Sequence, residues 1–247
     1  MMFQNFPKKR HGLPSEFKKV YLKWCILNRT GGTPANCLGK KMESWLHKQV
    51  ADDLLKSKEK LSNISTLEIG AGTLNQLNYE PVVGPYDIIE PCNDFVYNSE
   101  NKKKLRNHFK DISNISHSHY DRITSCATFE HLSDLPYVVA KTGLLLNTNG
   151  SLRISIPNEG SFLWMLCWKI STGIDFYIRY HMNYAILMRY EHINTANEIF
   201  SVLNYFYNSV KIKFFGFSKN WSIYHFYECN NPDIAKCKKY IDEYCSK

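Results

Sequence analysis

The sequence predicts an α/β domain: a seven-stranded, mostly parallel sheet with helices on both faces, the last strand antiparallel, preceded by a helical extension. Three observations carry this. From residue 64 onward, short apolar runs alternate with stretches of helical periodicity. One run, at 64–69, ends in the turn Gly70-Ala71-Gly72. The chain then closes on two apolar, aromatic runs separated by the turn-like Ser218-Lys219-Asn220, which suits an antiparallel pair.

Residues 1–15 form a lead-in with Pro7, Gly12 and Pro14, and 17–27 read as a helix. A loop is expected at 28–35, where two glycines and a proline break any period. In 41–55, Met42, Trp45, Leu46, Val50, Ala51, Leu54 and Leu55 recur at three- and four-residue spacing, the mark of an amphipathic helix. Residues 1–60 are therefore expected as a helical extension packed on a main domain at 61–247. Strands are expected at 64–69, 86–90, 122–126 and 151–156, the last stopped by Pro157. A further strand before Asp111 is poorly marked, because 102–110 is highly charged. The apolar stretch 139–146 suits a helix lying on the sheet. The segment 160–190, with Phe162, Trp164, Trp168, Phe176, Tyr177, Tyr180 and Tyr184, breaks the strand–helix rhythm. It reads as an insertion, 160–194, serving as a lid. A helix at 195–207 presents Ile199, Val202, Leu203 and Phe206 on one face, and strands follow at 210–217 and 222–229.

An apolar share of 44% with 14% aromatics supports a sizeable core. Residues 1–9 lack the apolar region of a secretory leader. No run approaches the ~18 apolar residues of a membrane span, and Lys169 interrupts the nearest. A soluble, cytoplasmic protein is the expectation. The eight cysteines are scattered with no C-x-x-C pair, which disfavours a zinc knuckle or a disulfide framework. The net charge of +8 resides in residues 1–60, which hold 13 Lys/Arg against 5 Asp/Glu. A solvated helical surface explains such spread charge; contact with nucleic acid or a membrane surface is the alternative.

The chemistry concentrates after the first strand. In T-L-E-I-G-A-G-T, residues 66–73, Gly70 and Gly72 let the backbone approach a ligand where a Cβ would collide. A ligand is expected at the carboxyl ends of parallel strands, near the switch in strand order. Glu90 closes the second strand eighteen residues after Gly72, a distance at which an acid can accept both hydroxyls of a ribose. Asp111-Ile112 and the segment 120–132, Y-D-R-I-T-S-C-A-T-F-E-H-L, complete the series. A nicotinamide-type turn would carry a third glycine where this chain has Asn75.

These four elements resemble the class I S-adenosylmethionine-dependent methyltransferases, which have a Rossmann-like fold. The likeness is strongest to the branch with Glu-His-Leu after the fourth strand, and its general look is similar to bacterial methyltransferases of glycan and natural-product pathways. The resemblance implies S-adenosylmethionine as cofactor. Gly70, Ala71, Gly72 and Thr73 would pass under its methionine part. Glu68 would orient the loop or the cofactor's amino group. Glu90, with Pro91 after it, would hold the ribose hydroxyls. Asp111 would face the adenine amino group and Ile112 its ring. Cys126 would lie beside the cofactor through its backbone, with Phe129, Glu130 and His131 at the mouth. Many members carry a third glycine where this chain has Leu74, and Pro81 shortens the following helix.

Methyl transfer from a sulfonium is a direct displacement, for which an alcohol acceptor also needs a base. His131 is one candidate and His192, in Y-E-H-I-N-T with Glu191 beside it, the other. Either histidine also has a structural reading, in capping or packing the helix that follows. No N-P-P-Y-like tetrad follows the fourth strand, which disfavours methylation of DNA base amines. Pro91-Cys92 follows the wrong strand for base C5 chemistry. No carboxylate cluster suggests a metal, and none is expected. The favoured expectation is O-methylation of a small molecule or saccharide rather than nucleic acid. The alternatives are an RNA or protein methyltransferase docking through the basic N-terminal region, and a non-catalytic S-adenosylmethionine-binding module.

Overall fold

The computed structural model describes residues 3–30, 36–56, 62–116 and 119–246. Helices α1 (Ser15–Thr30) and α2 (Asn36–Lys56) precede β1 (Thr66–Ile69). Then follow β2 (Tyr86–Ile89), α3 (Asn93–Tyr97), β3 (Asn107–Phe109), β4 (Tyr120–Cys126), α4 (Leu135–Leu145) and β5 (Leu146–Pro157). The insertion contains α5 (Phe162–Trp168), a π-helical turn (Lys169–Gly173), α6 (Ile174–Tyr180) and α7 (Ala185–Glu191). The chain ends with α8 (Ala196–Phe206), β6 (Tyr207–Gly216), β7 (Ser222–Pro232) and α9 (Ile234–Cys245).

The seven strands form one sheet in the order β3-β2-β1-β4-β5-β7-β6. Strands β1 to β5 pair in parallel, and β7 runs antiparallel to both β5 and β6. The expected fold class is thus borne out. Chain order reverses between β1 and β4, which places a crevice at their carboxyl ends.

Burial explains which strands the sequence marks. All four residues of β1 and all four of β2 are buried, as central parallel strands covered on both faces must be. β3 is a three-residue edge strand whose Asn107 and His108 are exposed, so charge there costs nothing and the apolar pattern is lost. The main core joins Leu67, Ile123, Leu152 and Ile154 of the sheet to Val139 and Ala140 of α4 and Ile199, Val202, Leu203 and Phe206 of α8.

Two buried arginines attach α2 to the sheet. Arg122 on β4 donates to Asp53 (2.7 Å) and to both carboxylate oxygens of Glu80, and also to the Val50 carbonyl. Arg153 on β5 donates to the Val50 and Gln49 carbonyls, both at 2.9 Å, and to Glu228. Such charges remain in an interior only when paired. By contrast, α1 packs with the insertion: Phe17 and Trp24 meet Phe176, Tyr184, Leu187 and Met188 in a separate aromatic cluster.

Some local expectations change. α1 runs on to Thr30, three residues into the expected loop, whose positions 31–35 lie outside the described residues. Between β1 and β2 there is only a 3-10 turn, Asn75–Asn78. β5 begins at Leu146, five residues before the expected start, and α9 had no marked sequence signal. Among the described residues, no helix is long and apolar enough to cross a membrane.

Candidate active site

The glycine turn leaves β1 through Gly70 at φ 71° and Gly72 at φ 51°. The two need glycine for different reasons. A Cβ on Gly70 would collide with the Thr128 side chain, whereas one on Gly72 would meet nothing within 4 Å and would project into open space. Leu74 keeps the left-handed conformation (φ 64°, ψ 34°) at the place where a third glycine was absent. That backbone costs a side-chain-bearing residue roughly 1–2 kcal/mol. Complete burial of the Leu74 side chain is worth roughly 1.5–3 kcal/mol and offsets it.

Glu90 stands just beyond β2 and clamps this turn. Its Oε2 accepts from the Gly72 N–H at 2.8 Å and its Oε1 from the Cys92 N–H at 2.9 Å. His108 Nε2 donates to the Glu90 carbonyl at 2.7 Å, fixing the backbone that carries the carboxylate. Each carboxylate oxygen retains acceptor capacity beyond one N–H.

The other residues expected around the cofactor are placed as follows. Glu68 is buried and accepts from the Tyr86 hydroxyl at 2.9 Å. Burial, and then the charge of Glu80, push its pKa up to about 8. Tyr86, Glu80, Gln76 and His47 continue this network to α2. Ala71 is buried, Thr73 half-buried and Pro91 exposed. Asp111 is exposed and caps the 3-10 turn Ile112–Asn114, accepting from Ser113 N at 2.8 Å, while Ile112 points into the core. Burial pushes the Cys126 thiol up, and its Sγ lies 3.8 Å from His47 Nε2. Phe129 is fully buried in the main core.

The structure brings His131 and His192 together, with ring centroids 4.8 Å apart and nearly perpendicular. A backbone latch does this. The N–H groups of Ile193 and Asn194 donate to the Glu130 carbonyl. Asn194 Nδ2 donates to the Phe129 and Leu132 carbonyls at 2.9 and 2.7 Å. The segment after α7 is thereby fastened to the turn after β4, at the crevice end of the sheet. His131 Nδ1 donates to the Glu191 carbonyl at 2.9 Å.

His192 Nδ1 is 2.7 Å from Glu159 Oε2, which also accepts from Trp164 Nε1 at 2.7 Å. Burial lowers the His192 pKa, but the Glu159 hydrogen bond and the charges of Glu130, Glu159 and Glu191 outweigh it and leave the pKa raised. Burial pushes Glu130 up to about 7, against the pull of His192. Glu191, expected to orient His192, instead gives its carboxylate to the Tyr21 hydroxyl of α1; Glu159 does the orienting. Glu159 and Trp164 were not singled out as site residues, and the available signal was their position after β5, the last of the parallel strands.

A glycine turn after β1, an acid closing β2, and this strand order define the Rossmann-like methyltransferase fold. Solved structures bear the likeness across most of the chain. The plantazolicin methyltransferase BpumL in complex with SAH is 18% identical with a TM-score of 0.59, covering 88% of this chain and 91% of that one. A SAM-dependent methyltransferase of Thermotoga maritima, a possible histamine N-methyltransferase, is 10% identical with a TM-score of 0.54 over 87% and 98% of the two chains. The N-methyltransferase NodS from Bradyrhizobium japonicum is 14% identical with a TM-score of 0.53 over 80% and 98%. No protein-family model matches the sequence, and no curated protein sequence matches it.

Proposed function

We propose that the chain is an S-adenosylmethionine-dependent methyltransferase that acts on an oxygen of a small molecule or saccharide. The observation that carries the cofactor reading is the Glu90 clamp: a carboxylate at the end of β2 gripping the N–H of Gly72, whose outer face is open. The remaining acceptor capacity of that carboxylate suits a pair of ribose hydroxyls. The likeness in fold to methyltransferases supports the same cofactor. When bound, S-adenosylmethionine supplies an electrophilic methyl. The chain's residues align the acceptor, exclude water and remove the acceptor's proton.

His131 and His192 are the candidate bases. Both rings are oriented through Nδ1, the arrangement that turns Nε2 toward a reacting group. Beside Glu159 opens a cleft of about 310 Å³ that includes Phe162, Trp221, Asn197, Asn220 and Lys219 in its lining. Two aromatics among amide and ammonium donors suit a saccharide face and its hydroxyls. The insertion 160–194 serves as the lid. Its outer row Phe162, Leu166, Ile170, Ile174 and Ile178 is 40–66% exposed, an apolar surface for covering an acceptor. Two cations of the basic N-terminal segment are committed within the molecule, Lys8 to Glu198 and Arg10 to the His131 carbonyl.

Calorimetry with S-adenosylhomocysteine tests the cofactor reading, and absence of binding would sink it. Radiolabelled S-adenosylmethionine offered to extracts finds the acceptor. His131→Ala and His192→Ala should each lower turnover while cofactor affinity holds; full rate in both would discard the base assignment.

A further inference from the structure

We infer that Glu130, His131 and His192 form a binding site for one divalent first-row cation of the Zn2+, Co2+ or Mn2+ kind, held by two imidazole nitrogens and one carboxylate oxygen. Among the described residues, one donor atom from each of the three lies within 4.8 Å of the other two. Ligands around a tetrahedral Zn2+ at ~2.0–2.2 Å stand roughly 3.3–3.6 Å apart, so modest side-chain rotation closes the set.

Three features prepare the site. The first is the outer bond on each ring. Metal-ligating histidines almost always give their second nitrogen to a carbonyl or carboxylate, which fixes tautomer and direction. Here His131 Nδ1 is on the Glu191 carbonyl at 2.9 Å and His192 Nδ1 on the Glu159 carboxylate at 2.7 Å. In each ring Nε2 is then the ligating atom, and His131 Nε2 already stands 3.8 Å from Glu130 Oε1. The second is the Glu130 carboxyl. Its side chain is 1% exposed and its Oε2 has no hydrogen-bond partner. A buried carboxylate oxygen without a partner is costly, and a cation removes the cost. The third is rigidity. The Asn194 latch holds the ligand-bearing segments in one geometry before any ion arrives. His192 also lines a cleft of about 450 Å³ that opens to solvent.

Two imidazoles and one carboxylate leave positions open on the ion, as catalytic sites do and closed structural sites do not. The proposal rests on the methyltransferase reading for the use of those positions, not for the binding itself. In that setting an acceptor hydroxyl takes an open position and becomes more acidic on the ion. With the ion bound, His131 and His192 are ligands and the hydroxyl's proton passes to solvent water; in the ion-free chain the two imidazoles remain the candidate bases.

The test uses the full chain, stripped with a chelator and desalted, without S-adenosylmethionine. Co2+ is followed by its visible d–d absorption and Zn2+ by calorimetry. One equivalent of Co2+ should bind with intense tetrahedral-type bands and be displaced by Zn2+. Glu130→Gln, which preserves side-chain shape, and His192→Ala should each weaken binding by about 100-fold or more. Glu159→Gln should weaken it about 10- to 100-fold through the outer bond, and the exposed His119→Ala should leave it unchanged. Circular-dichroism melts confirm the fold of each variant. If Glu130→Gln does not fold, Glu159→Gln alone decides. No Co2+ binding below millimolar, or a site indifferent to Glu159→Gln, overturns the proposal. S-adenosylhomocysteine affinity measured on the same samples separates the two readings: cofactor binding without metal binding removes only this proposal, and the reverse removes only the cofactor assignment.

Discussion

Glu90→Gln is the most informative single change at the cofactor end. The carboxylate accepts two backbone N–H groups, from Gly72 at 2.8 Å and Cys92 at 2.9 Å. An amide carries one acceptor oxygen and one donor nitrogen. One N–H must therefore face another donor, and the other bond loses its charge assistance. Hydrogen bonds to a charged group are worth ~1.5–3 kcal/mol, so the glycine turn should lose about that much. At ~2–4 °C per kcal/mol for a chain of this size, the melting temperature should fall by roughly 3–12 °C. Ligand binding must then restore the turn and also forgo a ribose acceptor. The dissociation constant for S-adenosylhomocysteine should rise about 10- to 100-fold, at ~1.4 kcal/mol per decade. Scanning calorimetry reads the first quantity and titration calorimetry the second. A lower melting temperature with affinity within twofold of the parent would refute the ribose role and leave Glu90 as a brace for the turn alone.

The two glycines should respond in opposite ways. Gly70→Ala adds a collision with Thr128 to its positive φ and should cost several kcal/mol in thermal melts; Gly72→Ala carries only the ~1–2 kcal/mol backbone cost but should weaken S-adenosylhomocysteine more, and the reverse order in melts would contradict this account. For Glu68, burial holds the folded pKa at about 8, above the ordinary 4.5, so the folded state binds the proton more tightly than the unfolded one. That stability is fully present below pH ~4.5 and disappears as pH rises through about 8; Glu68→Gln should therefore stabilise the chain by on the order of a few kcal/mol at pH 9 and by much less at pH 5, and a difference independent of pH in melts would remove the assignment.

The two halves of the candidate site differ in how far the sequence discloses them, and the reason is the distance over which each is built. The cofactor end is local. Gly70, Gly72 and Glu90 follow the carboxyl ends of two strands that are consecutive in the chain and pair in parallel, so their spacing forecasts a meeting, and Glu90 reaches the Gly72 N–H. Spacing does not state which way a side chain points. Ile112 and Phe129 occupy the expected positions and yet turn into the core, while Glu68 turns to Tyr86. Alternation along four buried residues carries no polarity by which a sequence could tell the two faces apart. What holds α2 carries no pattern either: Arg122 and Arg153 are single charges in apolar strands, and they are the groups that fasten that helix to the sheet. The acceptor end is assembled from the turn after β4, the start of the insertion and its exit. His131 and His192 meet because Asn194 and the Glu130 carbonyl join two segments with no periodic relation. Glu159, which directs His192, sits beyond a proline where no pattern extends. Each histidine alone had a bland structural explanation. What separates function from packing here is their convergence on one buried carboxyl, Glu130, whose Oε2 is left without a hydrogen-bond partner. The other oxygen of the same carboxyl stands 3.8 Å from His131 Nε2, so the unsatisfied group lies at the place where the two segments meet.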